Sequence, residues 1–255
     1  MKLAAVPYLN ALPLIYYLAE KPRLAPPAAL DRLLKLGEVD LATAPITALF
    51  ENPHYGLVPG VAIGTKGAVQ SVRLIIKKAG MQLSDVQSIY LDMESRTSVL
   101  LLKVLLKFKY KIDLGRIQFV TPIPHQGVDA ALLIGDKALV PSPQPSPPRG
   151  EGGGLDLGKE WCEWTGLPFV FAAWISPKPL IDSKWISVLQ EARDRGLENL
   201  DAIVESLPNR EFVKNYLQQN ISYDLGEKEI EGIKKFYEYA RELGAVQGDL
   251  TLRFY

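Results

Sequence analysis

Residues 169–175 read FVFAAWI, an apolar run of strand length rich in aromatic and β-branched side chains, and no comparable run follows it. After Pro179 the pattern turns helical, over 184–196, 197–206, 210–220 and 227–243. Before residue 169, strand-like and helix-like segments alternate. Buried strands are expected at 1–7, 39–44 (VDLATA), 69–77, 88–91, 118–121 and 130–134 (AALLI), and helices at 14–20, 30–36, 46–50 and 95–108. Pro13 suits a first helical turn, where its missing N–H is not needed. Pro22 and the pair Pro26-Pro27 stop that helix, and Gly37 ends the next one. Helix 95–108 is strongly marked: Ser95, Thr97 or Ser98 can cap it, and 99–106 is almost wholly apolar.

Strands alternating with helices predict parallel βαβ units. Helices alone then finish the chain. The economical topology is α/β with two lobes and two crossings, the pattern of periplasmic-type binding folds, whose ligands sit in the cleft between lobes. Residues 1–74 plus 173–255 form the first lobe, with the C-terminal helices. Residues 75–172 form the second, inserted lobe. The second lobe includes 141–154 (PSPQPSPPRGEGGG), whose Pro, Ser and Gly content cannot pack a core and predicts an exposed, mobile loop.

Composition narrows the partners. Lys plus Arg and Asp plus Glu both number 29 in 255 residues, so nothing suggests nucleic acid or an anionic membrane surface. Any anion site must be local, a few groups in a cleft. The single cysteine, Cys162, excludes an intramolecular disulfide and thiolate zinc sites of the usual kind. His54 and His125 both follow prolines in expected loops, so no metal site is expected. Residues 1–20 (MKLAAVPYLNALPLIYYLAE) are broken by Pro7, Asn10 and Pro13 and do not read as a signal peptide. No run of eighteen apolar residues occurs, so no membrane span is expected. A cytoplasmic location fits these features.

GxxxxGK[ST], GxGxxG after a strand, HExxH and GxSxG are all absent. GEGGG lies inside the proline-rich stretch, with neither strand nor helix around it. Three segments instead sit where a strand meets a loop or helix. Asn10, after the first strand, stands where strands of an open α/β sheet point into the crevice, with a donor and an acceptor; the plainer reading is a turn or cap. Ser95, Arg96, Thr97 and Ser98 open a helix whose free N–H groups favour carboxylates; the plainer reading is N-capping, with Arg96 facing either ligand or solvent. Ser71 enters a strand expected to cross between lobes, as an inward donor or a plain strand serine. Gly135-Asp136 ends a buried strand at the same crevice. The aromatics of 161–171 (WCEWTGLPFVF) read more readily as core or hinge packing than as ligand contacts.

YLNALPL, GEVDLATAP, SVRLIIKK, SRTSVLLLKVLL, DAALLIGDKAL and W-x-x-WTGLPFVFAAW follow one another in that order. Together they resemble the chorismate dehydratase family of the futalosine-type menaquinone pathway, over most of residues 1–176. The resemblance implies a type II periplasmic-binding-protein fold used as an enzyme. It implies a lyase that removes water from chorismate, a dicarboxylate, to give 3-[(1-carboxyvinyl)oxy]benzoate without metal or organic cofactor. By motif, Asn10 matches the family's active-site asparagine, Ser71 and Ser95 to Ser98 match ligand-contacting positions, and Asp136 and Thr165 are further candidates for substrate contact. Two departures stand out: residues 20–34 look short for the family's second strand, which Pro26-Pro27 would not suit, and 141–154 looks inserted. Rival readings are a non-catalytic binding or sensor protein for a small carboxylate, and the related later enzyme of the same pathway.

Overall fold

The computed structural model describes residues 1–92, 94–121, 127–139 and 154–255. The stretch 141–153, expected as a loop, and His125 lie outside the described residues. Eleven strands follow in chain order: β1 (Leu3–Ala5), β2 (Arg23–Leu24), β3 (Leu41–Pro45), β4 (Gly56–Thr65), β5 (Val72–Ile76), β6 (Ser88–Tyr90), β7 (Gln118–Val120), β8 (Ala130–Ile134), β9 (Leu155–Asp156), β10 (Phe169–Ser176) and β11 (Arg253–Phe254). They make two sheets, ordered β11-β4-β10-β3-β1-β2 and β7-β6-β8-β5-β9. The chain passes from the first to the second between Thr65 and Val72, and returns between Asp156 and Phe169.

Neither sheet is wholly parallel, which corrects the expectation from strand–helix alternation. β1 runs parallel to β2 and β3, and β6 parallel to β7 and β8. β10 runs antiparallel to both β3 and β4, with Ala173 opposite Ala44 and Ala62. β5 runs antiparallel to β8 and β9, with Leu74 opposite Leu132 and Leu155. β5 and β10 are the strands by which the chain enters one sheet from the other. No crossover helix within the same sheet precedes them, so the geometry that enforces parallel pairing does not apply.

Strand β4 was not foreseen, because Gly56, Pro59, Gly60 and Gly64 punctuate it like a loop. Proline cannot donate to a ladder and survives in a strand where the pairing is irregular. β4 shows this: Ala173 of β10 faces Ala62, yet Ile175 faces Leu57, so residues 58–61 bulge out of register. Gly60 adopts φ +79° there. The carbonyls thus freed are taken by helix α7 (Ser183–Glu198): Gln190 Nε2 donates to Pro59 O at 3.0 Å, and Arg193 donates to Gly60 O. Within residues 20–34, which look short for a strand, the only strand is the two-residue β2, and Pro26 and Pro27 lie outside it.

Ten helices occur among the described residues: α1 (Leu12–Ile15), α2 (Pro27–Lys35), α3 (Thr47–Glu51), α4 (Arg96–Val104), α5 (Asp136–Leu139), α6 (Leu157–Thr165), α7 (Ser183–Glu198), α8 (Leu200–Val204), α9 (Arg210–Gln219) and α10 (Glu227–Glu242). The helix expected over 14–20 shrinks to the single turn of α1. It lies under α7, where Gly196 comes so close that an added Cβ would run into the Pro13 carbonyl oxygen. α4 widens into a π-turn over Leu105–Lys109. α6 went unforeseen, because its aromatics obscured an amphipathic pattern. Trp161 is fully buried and meets Phe169 of β10 and Phe236 of α10 edge to face, and its Nε1 donates to Pro168 O at 3.2 Å. These aromatics form core beside the second crossing. No helix among the described residues is long and apolar enough to cross a membrane.

Candidate active site

Between the lobes lies a cleft with about 540 Å³ of empty space, part of it opening to solvent. Its walls are mostly apolar: Val6, Ile63, Val69, Val72, Ile134 and Phe171 among them. Its polar side chains are few: Tyr8 and Asn10 after β1, Ser71 on the first crossing, and Ser95 and Ser98 at the start of α4. Apolar walls with a small number of placed polar groups are the usual form of a small-ligand site.

Each polar group is set by local chemistry. Asn10 lies in a 3₁₀ turn, Leu9–Ala11, directly after β1. That turn is held from the other lobe, since Leu9 N donates to Asp136 Oδ1 at 3.1 Å. Burial pushes the Asp136 carboxyl up from the ordinary aspartate range, and the Leu9 N–H partly offsets this. The Tyr8 ring lies against Gly135, where an added Cβ would come within 2.9 Å of it. Gly135 adopts φ +62°, a conformation glycine tolerates best. The Tyr8 hydroxyl donates to Glu94 at 3.2 Å, and burial together with that carboxylate holds the phenol well above its usual range.

Ser71 follows a tight turn. Its N–H donates to Val69 O at 2.7 Å, and Gln70 between them has φ +58°. This is a γ-turn of the rare, strained hand. Asp156, at the end of β9, clamps it: the Val69 and Gln70 N–H groups donate to its two carboxylate oxygens at 3.0 and 2.6 Å. The same carboxylate caps α6 by accepting from Lys159 N. Strain of this kind persists where surrounding contacts over-determine it.

At α4, Ser95 is the N-cap: its Oγ accepts from Ser98 N at 3.2 Å and lies 2.8 Å from Ser98 Oγ. Capping and lining the cleft are both true of Ser95. Arg96 and Thr97 turn elsewhere. Arg96 Nη1 donates to both carboxylate oxygens of Glu51, at 2.8 and 2.6 Å, and lies 3.4 Å from Asp31. Thr97 Oγ1 lies 3.3 Å from Thr47 Oγ1. Both tie α4 to the first lobe and neither lines the cleft. Thr165 is also outside it: its hydroxyl donates to Trp161 O and accepts from Leu167 N, closing α6. Asp136 does not line the cleft; it holds the turn that carries Asn10 by accepting from Leu9 N.

Asn10 Oδ1 and Ser71 Oγ are both buried and lack a hydrogen-bond partner. So does the hydroxyl of Tyr216 on α9, a residue the sequence reading passed over. Its sequence signal is faint: it is one tyrosine on the buried face of an amphipathic helix, and a buried phenol usually needs a partner.

The comparisons agree with this architecture. Solved structures that superpose on the chain include a protein of Archaeoglobus fulgidus (TM-score 0.73, 18% identity, 96% of this chain and 98% of that one). The periplasmic aliphatic sulphonate binding protein of Escherichia coli also superposes (TM-score 0.62, 16% identity, 99% and 95%), as does a Candida albicans protein described as having the generic periplasmic binding protein fold (TM-score 0.61, 12% identity, 98% and 92%). At such identities they establish the fold. In sequence, the chain is 35% identical to the chorismate dehydratase of Thermus thermophilus, over 91% of this chain and 92% of that protein. A family model described as menaquinone biosynthesis matches residues 1–242. With that match over nearly its whole length, the chain belongs to the menaquinone biosynthesis family.

Proposed function

We propose that this protein is a chorismate dehydratase, converting chorismate to 3-[(1-carboxyvinyl)oxy]benzoate and water. The observation that carries the reading is the pair of buried, unpartnered polar atoms, Asn10 Oδ1 and Ser71 Oγ, on residues lining a mostly apolar cleft that the start of α4 also lines. Buried polar groups without partners are rare and call for a reason, and a polar ligand is one. The relative from Thermus thermophilus supports the choice of substrate.

Chorismate carries two carboxylates. The N-terminus of α4 and the Ser98 hydroxyl suit one of them. Removal of the C3 proton leaves an electron pair delocalised toward the ring carboxylate. That pair forms the C3–C4 double bond as the C4–O bond breaks, and the departing hydroxide takes up the proton as water. The ring becomes aromatic, which supplies most of the driving force, so the chain need only orient the substrate, exclude water and stabilise charge. The enolpyruvyl carboxylate of the substrate accepts the C3 proton, with Asn10 positioning that carboxylate. Neither metal nor organic cofactor takes part. The setting is the cytoplasm and the futalosine-type pathway, and the lobes, divided within the two crossings, close over the dicarboxylate.

The test is incubation of the purified protein with chorismate, following the product by liquid chromatography, with Asn10→Ala alongside. Product from the wild type alone supports both reaction and site. Binding of chorismate without product would favour a sensor or binding protein, and absence of both would sink the substrate.

A further inference from the structure

Tyr216 does not line the cleft, but the helix that carries it packs against the 3₁₀ turn that holds Asn10. The residue is 1% exposed, on α9, a helix of the C-terminal part of the first lobe. Asn220 fixes the end of that helix to the first crossing by donating from Nδ2 to Ala68 O at 2.9 Å. The end of α9 is thus held next to the segment that leads into Ser71, and the Asn10 and Ser71 side chains both act on the Tyr216 phenol, lowering its pKa against the larger raising effect of burial. Yet none of the three groups makes a hydrogen bond of ordinary geometry with a neighbour: Tyr216 OH, Ser71 Oγ and Asn10 Oδ1 are all buried and unpartnered. Orphaned polar atoms on residues of one turn, one crossing and the helix packed against them are hard to explain as packing, since each costs free energy when left unpaired.

We propose that Tyr216 is a positioning residue that sets which way Asn10 and Ser71 present themselves to the substrate. The direction follows from valence. Asn10 Oδ1 can only accept, so the Tyr216 O–H donates to it. That turns the amide nitrogen, with its two N–H donors, toward the cleft. The Tyr216 oxygen then accepts from the Ser71 hydroxyl, which leaves the lone pairs of Ser71 facing the cleft. Asn10 thereby becomes a donor suited to a carboxylate, and Ser71 an acceptor suited to a hydroxyl. A dianion that also bears one hydroxyl next to the carbon losing its proton matches that pairing, whereas a ligand with carboxylates alone leaves Ser71 unmatched. Burial keeps the Tyr216 phenol protonated well above its ordinary range, so the donor persists at every working pH.

This inference rests on the dehydratase reading, and the experiment separates the two. Wild type, Tyr216→Phe, Asn10→Ala and the double variant are assayed with chorismate, and Tyr237→Phe serves as control. Tyr237 bonds the Gln247 and Gly248 carbonyls and does not line the cleft. Failure of the wild type to turn over chorismate sinks the reading itself. If the wild type is active, Tyr216→Phe is expected to lower kcat by about tenfold or more, with KM changed less than about threefold. The double variant should be no slower than Asn10→Ala, because the tyrosine acts through the asparagine. Turnover by Tyr216→Phe within about twofold of wild type, or losses that simply multiply in the double variant, would overturn the proposal. A single hydroxyl whose part is to orient Asn10 and Ser71 contributes little to folding, so its removal should leave the melting temperature within a few degrees of wild type. A fall of more than about ten degrees would assign the hydroxyl to stability and would also overturn it.

Discussion

Asn10 and Gly135 line the cleft from its two sides, and small changes there should have large effects. Replacing Asn10 by Ala removes an amide that lines the cleft and leaves the 3₁₀ turn around it in place. Turnover should drop by about a hundredfold or more while the melting temperature holds, as for loss of one donor to developing charge. Gly135→Ala acts differently. At φ +62° a Cβ costs about 1 kcal/mol, and its carbon would press within 2.9 Å of the Tyr8 ring. We expect a lower melting temperature and weaker chorismate binding by calorimetry; an unchanged affinity would show that Tyr8 shifts freely. Asn10, Ser71, Ser95 and Ser98 could be picked from sequence because strand ends and helix starts leave local marks. Arg96 and Thr97 share the helix start but point along its other face, toward Glu51 and Thr47, which the linear sequence cannot show. Tyr216 was illegible for the same reason: its neighbours Asn10 and Ser71 belong to the other end of the chain.

Loops and short strands carry the next level of order. Asp156 holds the strained turn at Gln70 with both carboxylate oxygens, so Asp156→Ala should let that turn relax and move Ser71. KM for chorismate should rise by about tenfold, with a modest loss of stability from the lost α6 cap. A KM equal to wild type would mean that the turn holds itself. Asp129, just before β8, is a structural counterpart. Lys78, then the Gln87 and Ser88 N–H groups and the Ser88 hydroxyl, hold its carboxyl down at about 2. An acid lowered on folding stabilises above its unfolded value, near ~4, and loses that contribution as the pH falls toward its folded one. Asp129→Asn should therefore melt lower than wild type at neutral pH, and the gap should close between pH ~4 and pH ~2. Strands with clean apolar runs, such as β8, were legible from sequence. β4 was not, because a proline bulge supported by α7 looks like a loop until the helix that completes it is in place.

At the scale of the molecule, the ties between the two lobes include Arg96 with Glu51 and Asp31, Thr97 with Thr47, Asp136 with Leu9, Tyr8 with Glu94 and against Gly135, and Phe108 against Tyr239. An opening motion has to break them. Arg96→Met should shift the ligand-free protein toward an open form, seen as a larger radius of gyration in solution scattering that chorismate reverses. Arg96 and Glu51 are each more than two-fifths exposed, so added salt should mimic the substitution weakly. Identical scattering for the variant and wild type would place closure elsewhere. The lobed architecture was readable from the late switch to helices, whereas the mixed strand directions were not, because they depend on how β5 and β10 enter their sheets. The placement of β10 between β3 and β4 has a bearing on biosynthesis. The second sheet draws all its strands from one unbroken run of chain and can assemble while the ribosome is still at work. The first sheet cannot: β3 and β4 are made early, but the strand that joins them arrives more than a hundred residues later. Until then two apolar edges wait unpaired, and the nascent chain is most in need of a chaperone during the interval when its inserted lobe is already complete.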